Sequence, residues 1–435
     1  MLAKIKRIAG FVKGYLIAKY GPYRSRNSIL KRQKKLFNRL KERTLRKSLF
    51  YKVYLEKGIE NFPVINKEIF VDNFNTINTE QLDRDECLNL AYQSEKTRNF
   101  NLKIKNFSVG LSSGTSGNRG MFVTSDYEQA LWAGYIIGKL LPFSFKKRKV
   151  AFLLRSNNNL YESSQGKLIS FKFFDLFKSI EEIVYELDNF SPDILIAPAK
   201  ILRIIADSTT NIKPWKIISV AEVLEQDDKT YIENFFSREV DQVYQCTEGF
   251  LATTCSKGNL HLNEDIVLIE KDWIDKASGR FSPIITDLQR STQPVVRYRL
   301  DDVLIENKTA CACGSSFLRI DAIEGRHDDI LWYPRKEGKD LIAIFPDLIR
   351  RSMLLVQEYY DDYKIIQEKY SINIYIKTQH PHEAKSSIEK ELSNLFSSVG
   401  AQIPETIFRA WSDENLMLKR RRIKCIEKPQ IKTGL

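Results

Sequence analysis

Residues 193–207 read DILIAPAKILRIIAD, a short apolar run followed by apolar residues at helical spacing. The first part predicts a buried strand over 193–197, and the second predicts a helix over 199–207. The same alternation recurs nearby, with predicted strands at 150–154, 217–220 and 242–245 and a predicted helix at 179–188. Strand–helix alternation of this kind predicts an α/β fold whose sheets are mixed and mostly parallel.

The chain of 435 residues exceeds what one core usually serves, so two or more domains are expected. We expect a large α/β core domain over 105–327, preceded by a basic helical region over 1–104 that packs on this domain or extends it. A small, mobile α+β C-terminal domain is expected over 328–435. Its predicted elements are a strand at 341–345, a helix at 346–358, a strand at 371–377, a helix at 382–398 and a strand near 405–411.

The basic residues are concentrated at one end. The net charge is +13, yet residues 1–50 alone carry 16 Lys and Arg against one acid, and the remainder is close to neutral. Helices are predicted at 4–19, 29–56 and 80–95. This end either contacts an anionic lipid surface or another polyanion, or is a solvated helical face. No segment has the pattern of a secretory signal or a membrane span, which predicts a cytoplasmic protein, with a peripheral membrane location left open.

A Ser- and Gly-rich stretch at 111–120 reads LSSGTSGNRG. Its glycines permit close backbone approach to a polyphosphate, its hydroxyls are donors and Arg119 adds a positive charge. No Gly-Lys-Ser/Thr ends it, so it is not a Walker A loop. A flexible surface loop is the alternative. The candidate phosphate-binding residues are Ser112, Ser113, Gly114, Thr115, Ser116, Gly117 and Arg119.

Four further motifs follow in order: AE at 221–222, YQCTE at 244–248, RYRLDD at 297–302 and GRHDD at 325–329. Together with the loop they resemble the adenylate-forming superfamily of acyl-CoA synthetases and adenylation domains. The version most similar to this chain is that of phenylacetate–CoA ligases and the synthetases that adenylylate a deazaflavin coenzyme. The chain departs from the usual Pro-Lys loop ending, since Arg119-Gly120 stands there.

The resemblance implies that ATP and Mg²⁺ are used to adenylate a small carboxylic acid. It implies that Glu248 holds Mg²⁺, that Thr247 contacts the α-phosphate, and that Tyr244 stacks near the adenine. Asp302 and Arg326 would bind the ribose, Glu222 would also line the nucleotide site, and Lys419 in the tail KRRRI would be the catalytic amine. The alternative is that Lys419 belongs to a run of basic residues that only keeps the end of the chain solvated.

In relatives, a thiol then attacks the acyl-adenylate after the small domain rotates. A longer segment at 332–343, predicted as a hairpin with a turn at 337–338, stands where relatives have a short loop. CoA, a carrier-protein thiol, an amine and the absence of any acceptor are therefore left open for the second step. Two alternatives to this ligase activity are transfer of AMP to a hydroxyl or phenol, and a non-catalytic nucleotide-binding module.

Four residues form a candidate structural zinc site: Cys255, His261, Cys311 and Cys313. Three thiolates and an imidazole are the tetrahedral set that structural Zn²⁺ prefers, and Gly314 permits a tight turn after the last cysteine. The alternative is unrelated reduced cysteines. Six cysteines in a chain of this length do not form a disulfide scaffold.

Overall fold

The computed structural model divides the chain into two units. The first comprises Met1–Leu300 and Leu304–Ala322, and the second comprises Asp301–Val303 and Ile323–Leu435. The residues that the structure describes are 2–21, 24–112, 119–141, 146–154, 169–208, 211–338, 340–412 and 421–428.

Parallel strands form one half of the large sheet of the first unit. They alternate with helices along the chain, and their order in the sheet is β5-β4-β6-β7-β8. The strands are β4 (Arg148–Leu154), β5 (Ile169–Asp175), β6 (Ile194–Ala197), β7 (Lys216–Ser219) and β8 (Val240–Cys246). The helices after β5, β6 and β7 are α7 (Ile180–Phe190), α8 (Ala199–Asp207) and α9 (Gln226–Phe236). Crossover helices of this kind are what parallel pairing requires, so the predicted α/β class is confirmed.

The other half of the sheet is antiparallel. A tight turn after β8 leads into β9 (Gly249–Thr254), which pairs back onto it. The sheet continues from β9 through β10, β15, β14 and β12 to β11, and β13 also pairs with β12. These strands are β10 (Leu260–Leu262), β11 (Val267–Asp275), β12 (Arg280–Asp287), β13 (Tyr298–Arg299), β14 (Asp302–Asn307) and β15 (Arg319–Arg326).

Helices and a small sheet complete the first unit. Its remaining helices are α1 (Leu2–Tyr20), α2 (Arg26–Arg43), α3 (Lys67–Asp72), α4 (Phe74–Ile77), α5 (Arg84–Thr97) and α6 (Asp126–Leu140). The small sheet has the order β1 (Lys103–Ile104), β2 (Phe107–Leu111), β3 (Met121–Ser125). The helix predicted over 29–56 was wrong at its end: α2 stops at Arg43, and short 3₁₀ turns follow at Leu45–Lys47 and Lys52–Tyr54.

The second unit is an α+β arrangement with its own core. The predicted hairpin is present, formed by β16 (Leu331–Pro334) and β17 (Leu341–Ile344). A four-stranded sheet has the order β20-β19-β18-β21. Its strands are β18 (Asp362–Glu368), β19 (Ser371–Lys377), β20 (Glu405–Arg409) and β21 (Ile423–Glu427), and the helices are α10 (Pro346–Leu354) and α11 (Pro381–Ser398). Ile374, Ile388 and Phe396 are fully buried in the core of this unit.

Candidate active site

Two adjacent parallel strands carry predicted site residues at their carboxyl ends. Strands β7 and β8 pair in parallel with Ser219 opposite Gln242. Glu222 comes three residues after Ser219, and Gln245 comes three residues after Gln242. Because the two strands are parallel, both residues lie toward the same edge of the sheet, at the carboxyl ends of the strands. In open α/β sheets, ligands bind in the crevice beyond this edge. The register therefore places Glu222, which follows β7, and the segment at 244–248, which spans the end of β8, at the carboxyl ends of two adjacent strands.

The turn after β8 presents Thr247 and Glu248. The Thr247 hydroxyl donates to Glu248 Oε2 at 2.7 Å, and both side chains are half-buried. Tyr244 is buried within β8, three residues before Thr247. It lies next to an irregularity in the β8–β9 pairing between Tyr244 and Gln245. An irregularity of this kind bends a strand and redirects its side chains, a device common beside binding sites.

A segment after β12 supports this turn, although no sequence motif marks its residues as part of the site. Arg290, itself buried, donates through Nη1 to the Thr247 carbonyl at 2.6 Å and through Nη2 to Gln293 Oε1 at 3.0 Å. Asp287 Oδ1 accepts the backbone N–H groups of Gln289 and Arg290. Burial is the main cause that raises the pKa of Asp287 to about 6.

Glu128, at the start of α6, anchors the same segment from the other side. Its carboxylate accepts the N–H and hydroxyl of Ser125, the N–H and hydroxyl of Ser291, and the N–H and hydroxyl of Thr292. Burial alone would raise the pKa of Glu128, but the hydrogen bonds from Ser125 and Thr292 outweigh burial and hold it below its usual value. The Ser-x-x-Glu spacing is a helix-capping signal, but it does not predict that Glu128 also accepts hydrogen bonds from Ser291 and Thr292, which lie 163 and 164 residues away.

The stem of the candidate phosphate loop is closed by hydrogen bonds. Leu111 pairs with Met121 at the end of the β2–β3 hairpin, and the Ser112 N–H donates to the Gly120 carbonyl at 2.6 Å. Gly120 N–H donates back to Ser112 Oγ at 2.8 Å. The loop residues Ser113, Gly114, Thr115, Ser116 and Gly117 lie outside the described residues.

Arg119 belongs to this stem. Its Nη1 and Nη2 donate to the two carboxylate oxygens of Glu95 on α5, each at 2.6 Å, and its Nε donates to the Ser112 carbonyl at 2.7 Å. The hydrogen bonds that Arg119 donates to Glu95 are the main cause that raises the pKa of Arg119 above its usual value. Three of its five N–H donors are thus engaged within the protein.

In the second unit, Asp302 and Arg326 form a loose ion pair, with Arg326 Nε 3.9 Å from Asp302 Oδ1. Asp329 organises the neighbouring junction: it accepts the Arg326 N–H at 2.6 Å and the guanidinium of Arg421. Gly325 has φ of +134°, and a Cβ there would overlap the Asp329 carboxylate. Lys419 lies outside the described residues.

Cys255, His261, Cys311 and Cys313 converge in the first unit. Their candidate ligand atoms all lie within 4.8 Å of one another. Cys255 Sγ is 3.8 Å from Cys311 Sγ, and Cys313 Sγ is 3.5 Å from His261 Nε2. A tetrahedral zinc with bonds of about 2.3 Å to sulfur and about 2.05 Å to nitrogen requires about 3.8 Å between two sulfurs and about 3.6 Å between sulfur and nitrogen. The observed spacing therefore fits zinc.

The surroundings of this cluster also suit a metal. His261 Nδ1 is 3.0 Å from the Phe317 carbonyl, a contact that leaves Nε2 to act as the ligand. The cysteines lie in two similar turns, in which the N–H groups of Gly258 and Gly314 donate to the carbonyls of Cys255 and Cys311. Both glycines have positive φ, at +72° and +76°, as such turns require. Glu248 is not part of any such cluster among the described residues.

Solved structures with a similar fold include ligases. 2-Hydroxyisobutyryl-CoA ligase in the postadenylation state, in complex with R3-HIB-AMP, aligns over 92% of this chain and 89% of its own with a TM-score of 0.63 and 14% identity. Its open conformation, in complex with 2-HIB-AMP and CoA, aligns over 92% and 91% with a TM-score of 0.56 and 16% identity. The amide bond synthetase McbA from Marinactinospora thermotolerans aligns over 72% and 67% with a TM-score of 0.51 and 10% identity.

No protein-family profile and no curated protein matches the sequence. At these identities the structural likeness bears on the fold alone. The fold that the predicted resemblance implies is confirmed.

Proposed function

We propose that this protein is an AMP-forming ligase: it adenylates a small carboxylic acid with ATP and then transfers the acyl group to a thiol or an amine. One observation carries the proposal. The carboxyl ends of two adjacent parallel strands, β7 and β8, carry Glu222 and the segment at 244–248 at one edge of the sheet, in a fold shared with 2-hydroxyisobutyryl-CoA ligase.

In the reaction proposed, a carboxylate oxygen of the acid attacks the α-phosphorus of ATP. The bond from that phosphorus to the oxygen bridging to the β-phosphorus breaks, and pyrophosphate leaves. Because two anions must meet, the protein has to position them and neutralise charge. In this proposal the Thr247 hydroxyl, which donates to Glu248 in the structure, would turn to a phosphate oxygen. Arg290 supports the backbone at this position through its hydrogen bond to the Thr247 carbonyl. A Mg²⁺ ion held by Glu248 would neutralise charge on the phosphates.

The second unit contributes Asp302 and Arg326 to ribose recognition in this proposal. The tail after residue 420 supports the assignment of Lys419. Arg422 is buried, its Nε lies 3.1 Å from Asp362 Oδ1, and its guanidinium stacks on the Tyr363 ring at 4.9 Å. An anchored Arg422 followed by Ile423 of strand β21 resembles the Gly-Lys-x-x-Arg-Val ending of the superfamily, with Leu418 in place of the glycine, and Lys419 would be the mobile amine.

We also propose that Cys255, His261, Cys311 and Cys313 hold one structural zinc ion. The tetrahedral spacing of the four ligand atoms supports this assignment. Because four protein ligands leave no open position, the ion would brace the loops after β9 and β14 rather than take part in the reaction.

The test is acid-dependent exchange of labelled pyrophosphate into ATP, screened over aryl and aliphatic acids. Glu248→Gln is expected to reduce exchange by at least about a hundredfold, since it removes the proposed metal ligand. The matched control is Glu239→Gln, an exposed glutamate just before the opposite end of β8, which should leave exchange unchanged.

Exchange that survives Glu248→Gln at the wild-type rate refutes the assignment of Glu248. If no acid supports exchange and mass spectrometry instead finds AMP retained on a hydroxyl-bearing product, the ligase proposal is wrong and AMP transfer is the activity.

A further inference from the structure

Helix α1 has an inverted distribution of side chains. Gly10, Gly14 and Ala18 face the protein and are buried. The large apolar side chains face outward: Ile5 is 55% exposed, Ile8 56%, and Val12 and Leu16 48% each. A surface helix normally does the opposite, with its large apolar residues facing the core.

Close packing on α6 explains the buried face. A Cβ at Gly10 would lie 2.8 Å from the Tyr127 carbonyl oxygen, and one at Gly138 would lie 2.7 Å from the Ala18 Cβ. At Gly14 and at Gly134 an added Cβ would overlap backbone of the partner helix. Two glycines four residues apart on each helix thus let the backbones meet.

This packing does not explain the exposed face. Ile5, Ile8, Val12 and Leu16 follow one another at spacings of three, four and four, which places them on one side of the helix, away from α6. Polar residues at these positions would serve the α6 contact equally well. The apolar stripe therefore indicates a contact outside the unit itself.

The charges around the stripe favour an anionic partner. Lys4, Lys6 and Lys13 are exposed on α1. Residues 1–50 as a whole carry 16 basic residues and a single acid. A second copy of the chain would bring this charge against itself, and a nucleic acid would gain little from the isoleucines. A bilayer surface with anionic headgroups satisfies both the stripe and the cations.

We propose that α1 docks the protein onto an anionic lipid bilayer, lying in the plane of the surface with Ile5, Ile8, Val12 and Leu16 in the interface. None of the described helices is both long enough and apolar enough to cross a bilayer, in keeping with docking on the surface. This inference does not rest on the proposed ligase activity.

The experiment is sedimentation of the full chain with vesicles in which about one lipid in three is phosphatidylglycerol and the rest is phosphatidylcholine, at low and high salt. Ile8→Asp/Val12→Asp should weaken binding by about a hundredfold, because it removes apolar area and adds two negative charges. Lys4→Gln/Lys6→Gln should weaken it about fivefold per charge at low salt and less at high salt. The matched control is Ile403→Asp, which alters an isoleucine that is 58% exposed in the second unit and should leave binding unchanged.

Circular dichroism and light scattering accompany each variant. Wild-type binding by a folded Ile8→Asp/Val12→Asp variant overturns the proposal, as does the absence of wild-type binding to the anionic vesicles. A wild-type dimer that this variant dissociates identifies a second copy as the partner instead, and tight binding to a single-stranded RNA without vesicle binding identifies a nucleic acid. If the aspartate variant unfolds, Lys4→Gln/Lys6→Gln decides: unchanged binding at low salt overturns the proposal.

Discussion

Glu128 is the residue whose replacement most directly tests the architecture of the candidate site. Its two carboxylate oxygens accept six hydrogen bonds, three each, from Ser125, Ser291 and Thr292. Glu128→Gln preserves size but replaces one acceptor oxygen with an NH₂ group. Placed at Oε2, the amide lets the hydroxyls of Ser125 and Thr292 rotate and accept, but the Ser125 N–H loses its partner.

The magnitude follows from this arrangement. A buried N–H without a partner costs about 1–3 kcal/mol, and the loss of charge weakens the remaining bonds by about 1–2 kcal/mol in total. We therefore expect Glu128→Gln to lower the free energy of unfolding by about 4 kcal/mol. For a unit of about 320 residues, an unfolding entropy of about 2.1 cal/mol/K per residue converts this into a Tm decrease of about 6 °C.

The pH dependence gives a second readout. Because the pKa of Glu128 is depressed in the folded state, its ionisation stabilises the protein above the unfolded-state pKa of about 4.3. That contribution is lost as the pH falls through the lower, folded-state pKa. The Tm difference between wild type and Glu128→Gln should therefore stay constant from pH 7 to about pH 5 and narrow as the pH falls below about 4.3.

Differential scanning calorimetry at several pH values measures both effects. The control is Glu181→Gln, at an exposed position in the first turn of α7, where the Tm should change by less than about 1 °C. A Glu128→Gln variant with a Tm within about 1.5 °C of wild type at pH 7, or with a difference that does not narrow on acidification, would refute the six-bond anchor.

Three further variants test separate features. Cys313→Ser is expected to abolish binding of one equivalent of zinc; metal content measured by plasma mass spectrometry that stays unchanged contradicts the site. Gly325→Ala should destabilise the second unit by about 1–3 kcal/mol, because the added Cβ would overlap the Asp329 carboxylate at a φ of +134°; a wild-type thermal transition argues against this strain. Arg119→Lys should cost about 1–2 kcal/mol in thermal unfolding, since lysine cannot bond both oxygens of Glu95 at once; an unchanged Tm excludes a role for the bidentate pair.

The strands and helices that were predictable from sequence are those with continuous burial. The strand predicted at 193–197 is β6 (Ile194–Ala197), and the helix predicted at 199–207 is α8 with the same bounds. Strand β18 (Asp362–Glu368) was missed, because its inward positions are Tyr363, Ile365 and Gln367, and the buried polar Gln367 interrupts the apolar alternation that marks a strand. Strand β21 pairs in parallel with β18 across 58 residues of sequence, from Ile365 to Ile423, which no local pattern indicates.

The candidate site divides in the same way. Glu222, Thr247 and Glu248 could be proposed because each directly follows a strand in a short motif. Glu128 and Arg290 could not, since what they do depends on partners brought together by the fold: Glu128 bonds residues 163 and 164 positions away, and Arg290 bonds Thr247 43 positions back. Residues that hold a loop in place can be identified only when their distant hydrogen-bond partners are known.

Arg119 shows how such a partner changes an interpretation. By sequence alone Arg119 is one candidate to neutralise charge on the leaving pyrophosphate, in a loop that lacks the usual terminal lysine. In the structure Glu95 engages it through two hydrogen bonds, so the pair as a whole carries no net charge. Residues 112–118 contain no Lys or Arg. If this loop binds a polyphosphate, its own donors are backbone N–H groups and hydroxyls, and the charge of the leaving pyrophosphate would be neutralised by groups outside residues 112–118, among them the metal proposed at Glu248.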